Sequence, residues 1–448
     1  MEEGAGRLIK NMLLYSAHIT PRLRYIVALI SKELFDEGIL LTSDREEFSR
    51  STLPRLNYSD TEISDDDFFV RPVPLLFESH IAPQPIECFE LNYHKAFFET
   101  AGDLPFDIFA ATFYLVSRYE EYLPYEKDAY GRYPHTVSLA HKEGFLQQPL
   151  VNIWLQEFKK ALQKKFPALA FRYQSFKFIP TYDIDSAWSY LHKGWKRSAG
   201  ALLRSVLKGQ WSEAGKRLRV LQGKEKDPFD AYEWLDSLHL YCRMKAYYFF
   251  LVAGRQKGFD KNISPSRQAM QELVQYHSLG GYRVGVHPSW QSGDDEQLLR
   301  EEIEWMEWMT DQKMIRSRQH FIRFSLPETY RKLIRHGIQQ DFSMGYGTIN
   351  GFRASIAASF YWYDLEKEET TSLRVFPFCF MDANAFYEQN YTAGRAMNEL
   401  MHYYRLIRKV NGLMVTIWHN SFLGTDPQFT GWKEAYEIFL KEEVYWDM

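Results

Sequence analysis

The chain has 448 residues, of which 45% are apolar and 25% are charged, and its formal net charge at pH 7 is -4. This composition is typical of a globular protein, and the length favours two domains or one large barrel with an extension. The weakly acidic balance argues against nucleic-acid binding, which requires a basic surface.

The three cysteines, Cys88, Cys242 and Cys379, are far apart in the sequence. An odd number at such spacing predicts neither a disulfide framework nor a CxxC zinc site. The N-terminal segment lacks the basic, apolar and small-residue regions of a signal peptide, and no apolar run reaches the roughly 18 residues of a membrane span. We therefore expect a cytoplasmic protein without a membrane span.

The first part of the chain, residues 1–175, consists of scattered short segments and predicts a smaller α+β N-terminal domain. Residues 107–123, DIFAATFYLVSRYEEYL, predict an amphipathic helix between two prolines. Residues 149–166 predict a second helix, with Pro149 near its start and lysines in its last turn. Nothing in these residues indicates what the domain does.

The second part, residues 176–448, alternates apolar or β-branched runs with helical patterns, which predicts a parallel α/β sheet. The predicted strands are residues 176–185, 246–252, 282–287, 318–324, 341–344, 374–380 and 413–419. Seven such units fit a barrel slightly short of the eightfold one.

Residues 192–226 are a local exception to the acidic balance, because they are rich in Lys and Arg, with Leu and Val at helical spacing. One interpretation is a solvated helical insertion. The other is a site for an acidic partner, an acidic substrate or a membrane surface, and the sequence leaves both open.

Polar residues mark the predicted strands at or near their ends: Asp183, Asp185, His287, His320, Asp341 and His419. The carboxyl ends of barrel strands form one rim, so residues about a hundred positions apart would converge there. Asp183 and Asp185 are two positions apart and leave the same face of the strand. Two buried carboxylates repel unless one becomes neutral, and a bound cation removes that conflict. The pattern therefore predicts a metal site at this rim.

Four segments resemble the motifs of polysaccharide deacetylases of the NodB-homology type (carbohydrate esterase family 4), over roughly residues 176–448. They are TYDID (181–185), VGVHPSW (284–290), residues 316–346 and TIWHN (416–420). Residues 107–134 also look like the uncharacterised region that precedes such domains in one bacterial subgroup. The resemblance implies a distorted (β/α)7 barrel that hydrolyses an N-acetyl or O-acetyl group on a carbohydrate.

The resemblance also implies roles for individual residues. Asp183 would be the general base, Arg318 would orient it, and His419 would be the general acid. Asp185 and His287 would hold a divalent metal, often zinc.

One position departs from the pattern of that family, which usually has a second ligand histidine four residues after the first. Here the residue is Gln291, and an amide is a poorer zinc ligand than imidazole. We expect His320 to replace it. Two alternatives stay open: a non-catalytic glycan-binding or scaffolding protein on a decayed barrel, and a glycoside hydrolase that uses a carboxylate pair.

Five further residues are candidates for binding the sugar. Trp188, Trp290 and Trp418 adjoin motif residues and could stack on a sugar ring or pack within the barrel. Residues 341–355 are punctuated by glycines and predict a loop over the site, where Asp341 and Arg353 are the candidates. The expected partner is a carbohydrate that carries acetyl groups, and protein partners are unknown.

Overall fold

The computed structural model describes residues 9–254 and 258–445, and its N-terminal region is built on a four-stranded sheet. The strands are β1 (Asn11–Tyr15), β2 (Gly38–Thr42), β3 (Arg55–Tyr58) and β4 (Phe68–Val70). Their order is β2-β1-β3-β4, and every neighbouring pair is parallel. The predicted α+β domain is not confirmed, because the helices of an α+β domain usually pack on an antiparallel sheet and these four strands are parallel.

Helices and one hairpin complete this region. They are α1 (Pro21–Leu34), α2 (Arg45–Arg50), the antiparallel pair β5 (Cys88–Leu91) and β6 (His94–Phe97), α3 (Ile108–Val116), α4 (Leu139–Lys142) and α5 (Leu150–Lys165). Thr20 caps the N-terminus of helix α1, because its side chain accepts a hydrogen bond from the backbone N–H of Leu23. Helix α3 is shorter than predicted, because Arg118 follows it with a left-handed φ of 57°.

The larger sheet has nine strands. They are β7 (Lys177–Ile184), β8 (Tyr247–Leu251), β9 (Arg283–His287), β10 (Arg316–Ser317), β11 (Gln340–Asp341), β12 (Phe360–Asp364), β13 (Glu369–Val375), β14 (Phe380–Met381) and β15 (Leu413–His419). Their order is β12-β13-β11-β10-β9-β8-β7-β15-β14, and only the β12–β13 pair is antiparallel. Within residues 9–254 and 258–445 no pairing joins β12 to β14, so the parallel sheet is open and not a closed barrel.

Eight α-helices lie in the part of the described chain that forms the larger sheet. They are α6 (Trp195–Leu207), α7 (Trp211–Leu221), α8 (Tyr232–Tyr241), α9 (Gln268–Leu279), α10 (Glu296–Thr310), α11 (Glu328–Arg335), α12 (Ala393–Lys409) and α13 (Trp432–Ile438). None of the helices in the described residues is long and apolar enough to cross a membrane.

Three predicted strands differ from the observed ones. The strand expected at 341–344 is β11, which already ends at Asp341. A strand is expected at 318–324, but the observed strand β10 already ends at Ser317. The residues after it form a turn in which Phe321 has a left-handed φ of 59°. The strand expected at 374–380 is divided into the end of β13 and the start of β14, with Pro377 in the break. Proline has no backbone N–H to donate, so it interrupts a sheet at such a position.

The N-terminal region and the larger sheet share one hydrophobic core. Arg22 of α1 is buried and pairs with Glu368 beside β13, with 2.5 Å between Nη2 and Oε1. The hydroxyl of Tyr25 donates to the backbone oxygen of Tyr361 at 2.7 Å. These contacts hold α1 against the edge strand β12 and the turn that joins it to β13.

Candidate active site

The candidate site lies where the carboxyl ends of β7, β9, β10 and β15 meet. Asp183 of β7 is in register with His419, the last residue of β15. His287 is the last residue of β9, and Arg318 follows β10, which pairs with β9. Parallel strands end at the same edge of the sheet, so residues far apart in sequence become neighbours here.

Asp183 is held by a buried arginine. Nη1 of Arg318 lies 2.8 Å from Oδ1 of Asp183 and 2.6 Å from the hydroxyl of Thr181. Nε of Arg318 donates to the backbone oxygen of Phe342 at 3.0 Å. Arg318 therefore fixes Oδ1 of Asp183 and donates no hydrogen bond to Oδ2. The Oδ2 atom lies 3.8 Å from Nε2 of His287.

Three imidazoles face Asp185, which follows β7. Nε2 of His287 lies 3.1 Å from its Oδ1, and Nε2 of His320 lies 3.4 Å from its Oδ2. Nε2 of His419 lies 3.5 Å from the same Oδ2. Burial alone would raise the pKa of Asp185, but His320 and His419 hold it well below its ordinary value.

The other ring nitrogen of each imidazole has a fixed partner. Nδ1 of His287 lies 2.5 Å from the backbone oxygen of Arg318, and Nδ1 of His320 lies 3.0 Å from Oδ1 of Asp260. Nδ1 of His419 lies 2.6 Å from Oδ1 of Asp382. The acceptors behind His287 and His320 place a proton on Nδ1, so that Nε2, which faces Asp185, carries the lone pair when the ring is neutral. This arrangement is typical of metal-ligating histidines.

The donor set fits a divalent cation. One ligand atom each from Asp185, His287 and His320 lies within 4.8 Å of the others. Oδ1 of Asp185 is buried and has no hydrogen-bond donor. Burial lowers the pKa of His320, but Asp185 and Asp260 raise it to about 9. A cation would bind Oδ1 of Asp185, which has no donor. It would also replace the proton on Nε2 of His320, since imidazole binds metals in its neutral form.

These groups open into a cavity of about 430 Å³. Its walls include Asp183, Asp185, His287, His320 and His419, together with the aromatic rings of Tyr130, Phe321, Tyr387 and Phe422. The volume lies within the range of small-molecule pockets, and aromatic walls suit the apolar faces of sugar rings.

The N-terminal region supplies one wall of this cavity through Tyr130 and Arg132. Arg132 is buried: its Nε donates to Asp128 at 2.7 Å, and its Nη1 donates to the backbone oxygen of Phe321 at 2.9 Å. Its Nη2 has no partner, nor have Nε2 of Gln319 and Oδ1 of Asn384 in the same walls. Buried polar atoms without partners are uncommon, so these three are candidates for contacts with a ligand.

Three of the residues predicted to bind the sugar, Trp418, Asp341 and Arg353, are buried and lie outside the cavity walls, and their role in binding stays a prediction. Trp418 is buried against Tyr436, with 4.3 Å between ring centroids. Asp341 is buried and accepts hydrogen bonds from Ser317, Ser343 and Tyr330. Arg353 is buried in an ion pair with Glu121 of the N-terminal region, at 2.6 Å.

The two remaining tryptophans also lie outside the cavity walls. Trp188 is buried against His192, with 4.5 Å between ring centroids. Trp290 is half-buried beneath the guanidinium of Arg323, 4.4 Å from its ring centroid. The structure thus brings together the predicted catalytic and metal-site residues but none of the five predicted sugar-binding residues.

Two carboxylates of the site were not predicted. Asp382 directly follows β14, and a strand-end acid was a signal that could have identified it. Asp260 lies in the loop after β8 with no local pattern to mark it. Nε2 of Gln291 donates to Oδ2 of Asp260 at 3.1 Å, so the glutamine helps to hold the carboxylate that orients His320.

Fold and site together define an α/β protein with a carboxylate and three imidazoles at the carboxyl ends of its parallel strands. Residues 12–167 match the model of a family described as a family of unknown function, DUF7033. Comparison with curated proteins gives no match.

Among solved structures, the chain is similar to the polysaccharide deacetylase Bc1974 from Bacillus cereus, to the Puue allantoinase, and to a mutant of BA3943, a CE4 family pseudoenzyme with restored enzymatic activity. The identities are 13%, 11% and 10% and the TM-scores 0.31, 0.37 and 0.29. In each case 60% of this chain is covered, against 89%, 84% and 64% of the other chain. These likenesses are distant, and the function proposed below rests on the geometry of the site.

Proposed function

We propose that the protein is a metal-dependent hydrolase that removes acetyl groups from a carbohydrate. The observation that carries this proposal is the convergence of three imidazole Nε2 atoms on Asp185, beside an Asp183 held by Arg318. Asp185, His287 and His320 would hold the cation, and one carboxylate with two imidazoles suits zinc. When bound, the cation supplies Lewis-acid polarisation of the acetyl carbonyl and acidifies water.

Asp183 is the proposed general base. Its Oδ1 accepts a hydrogen bond from Arg318, while Oδ2 lies 3.8 Å from Nε2 of His287, and both Asp183 and His287 line the cavity. The proton of the attacking water would pass to Oδ2. The hydrogen bond from Arg318 to Oδ1 keeps the carboxylate of Asp183 from rotating.

His419 is the proposed general acid. Burial lowers its pKa, but Asp382 and Asp185 raise that pKa well above its ordinary value. Because Nδ1 is fixed on Asp382, the proton that His419 gives up is the one on Nε2, at the cavity. That proton would go to the departing amine or alcohol of the sugar as the bond to the acetyl carbon breaks.

We also retain the division of the chain at residue 175 as part of this proposal. Residues 176–448 would carry the catalytic groups, and residues 1–175 would add a wall to the substrate cavity. Tyr130 and Arg132 support this role, because both line the cavity from the N-terminal side.

Acetate release from N-acetylated and O-acetylated oligosaccharides tests the proposal. We expect the zinc-loaded protein to release acetate and Asp183→Asn to release none while it keeps its metal. Asp294→Asn is the matched control, because Asp294 is exposed and pairs with Arg323 outside the cavity. Sugar binding without acetate release in the wild-type protein would contradict catalysis and favour a glycan-binding role.

A further inference from the structure

Helices α6 and α7 form a hairpin with an exposed apolar side; we call residues 195–221 the α6–α7 hairpin. Leu203 and Leu207 of α6 are 60% and 78% exposed, and Trp211 of α7 is 69% exposed. Trp195 at the start of α6 is 76% exposed. Leu203 and Leu207 are four residues apart, so they lie on one side of the helix. A globular protein rarely exposes several large apolar side chains on one element without a partner.

The same segment is strongly basic. Residues 192–226 contain ten Lys or Arg against two Glu, a net charge of +8 in a chain whose total is -4. Arg204, Lys208, Arg219 and Lys224 are exposed on the hairpin or just after it. An anionic partner would complement this charge, and a second copy of the same surface would be repelled by it.

The α6–α7 hairpin lies at the edge of the sheet formed by the carboxyl ends of the strands, where the cavity opens. It leaves the carboxyl end of β7, and Asp227 closes its base by accepting hydrogen bonds of 2.7 and 2.8 Å from the backbone of Ser189 and Tyr190. Nζ of Lys216 donates to the backbone oxygen of Thr425, in the loop after β15, at 3.0 Å. The loops that carry the hairpin and the cavity therefore leave the same edge of the sheet.

We propose that the α6–α7 hairpin docks the protein on an anionic lipid bilayer. Exposed Leu and Trp side chains would enter the boundary between headgroups and acyl chains, and the surrounding Lys and Arg would face the anionic headgroups. A nucleic acid would complement the charge but would leave the apolar side chains exposed to water, so lipid is the favoured partner. Docking would turn the strand ends that carry the cavity towards the membrane surface.

Co-sedimentation of the full chain with vesicles tests this inference. We expect binding to vesicles of phosphatidylcholine and phosphatidylglycerol, no binding to vesicles of phosphatidylcholine alone, and weaker binding as salt is raised. The double variant Leu203→Gln, Leu207→Gln should lower the partition coefficient by about tenfold or more. The matched control is Leu240→Gln, Leu279→Gln, because these leucines are 83% and 87% exposed outside the hairpin.

Several outcomes would overturn the inference. They are no binding to anionic vesicles, binding that the Leu203 and Leu207 changes leave intact, and an equal loss in the control variant. Sedimentation velocity that shows a dimer dissolved by the same changes would identify a second copy as the occupant instead. Binding to a DNA duplex that exceeds binding to anionic vesicles would identify a nucleic acid.

Discussion

Asp382 holds His419 by two contacts: its Oδ1 lies 2.6 Å from Nδ1 of the ring, and its Oδ2 accepts the backbone N–H at 2.7 Å. Side chain and backbone of His419 are thus fixed by one carboxylate. As a result, Nε2 points into the site and lies 3.5 Å from Oδ2 of Asp185, as the proposed role of general acid requires.

This pair gives the first prediction. Asp382→Asn keeps an acceptor for Nδ1 but removes the charge that stabilises the imidazolium, so we expect kcat to fall about 100-fold with little change in KM. Steady-state hydrolysis of an acetylated oligosaccharide measures both constants. A similar fall in Asp294→Asn, or an unchanged kcat in Asp382→Asn, would contradict the role of Asp382.

Asp260 is expected to act on the metal through His320. Asp260→Asn should weaken zinc affinity by about 10- to 100-fold, because an acceptor behind a ligating imidazole orients it and increases its basicity. His320→Ala should weaken affinity further. Competition with a chromogenic chelator measures both, and His402→Ala serves as the control, since His402 is exposed on α12. Unchanged affinity in His320→Ala would remove that residue from the ligand set.

Arg132 is expected to bind the substrate without taking part in the chemistry. Arg132→Met removes the unpartnered Nη2, so KM should rise by about tenfold, the value of one hydrogen bond to a charged donor, while kcat stays nearly constant. Arg335→Met is the control, because Arg335 pairs with Glu296 on the surface. A fall in kcat at constant KM would indicate instead that Arg132 positions catalytic groups.

Glu302 predicts a dependence of stability on pH. Burial raises the pKa of its carboxyl from 4.5 to about 7, although hydrogen bonds from Ser289 oppose this. The carboxyl of Glu302 thus binds a proton more tightly in the folded state than in the unfolded state. The stability that this proton contributes is fully present below pH 4.5 and is lost as the pH rises to 7. The free energy of unfolding of Glu302→Gln should therefore exceed that of the wild-type protein by about 3 kcal/mol at pH 8. At pH 4 the two free energies should differ little. Urea unfolding at the two pH values checks this, and an equal difference at both would exclude the carboxyl as the cause.

The positions of many candidate site residues can be predicted from the order of the strands in the sequence. The positions of the others depend on contacts between distant residues that no local sequence pattern indicates. Asp183, His287 and His419 end strands that a periodicity argument can locate, so their proximity could be predicted before the fold was known. Their catalytic roles stay predictions. The glycines that surround Arg353 in sequence predict a loop over the site. Glu121, the ion-pair partner of Arg353, lies 232 positions earlier, and no local signal connects the two.

The turn after β10 illustrates the same limit. An apolar run over 318–324 predicts a strand, yet the chain turns at Phe321 with a left-handed φ of 59°. That turn brings His320 to face Asp185 and Phe321 to the cavity wall, which a continuous strand could not do with alternating side chains. The predicted function of His320 thus depends on a local structure that its sequence does not indicate.

The proposed chemistry depends on a cation site that Asp185, His287 and His320 form together. Elemental analysis of the protein as purified, beside Asp185→Ala purified in the same way, measures whether this site exists. We expect a stoichiometric divalent transition metal in the wild-type protein and its loss from the variant. A folded wild-type protein without such a metal that also fails to take up zinc, or equal metal in both proteins, would exclude the proposed site.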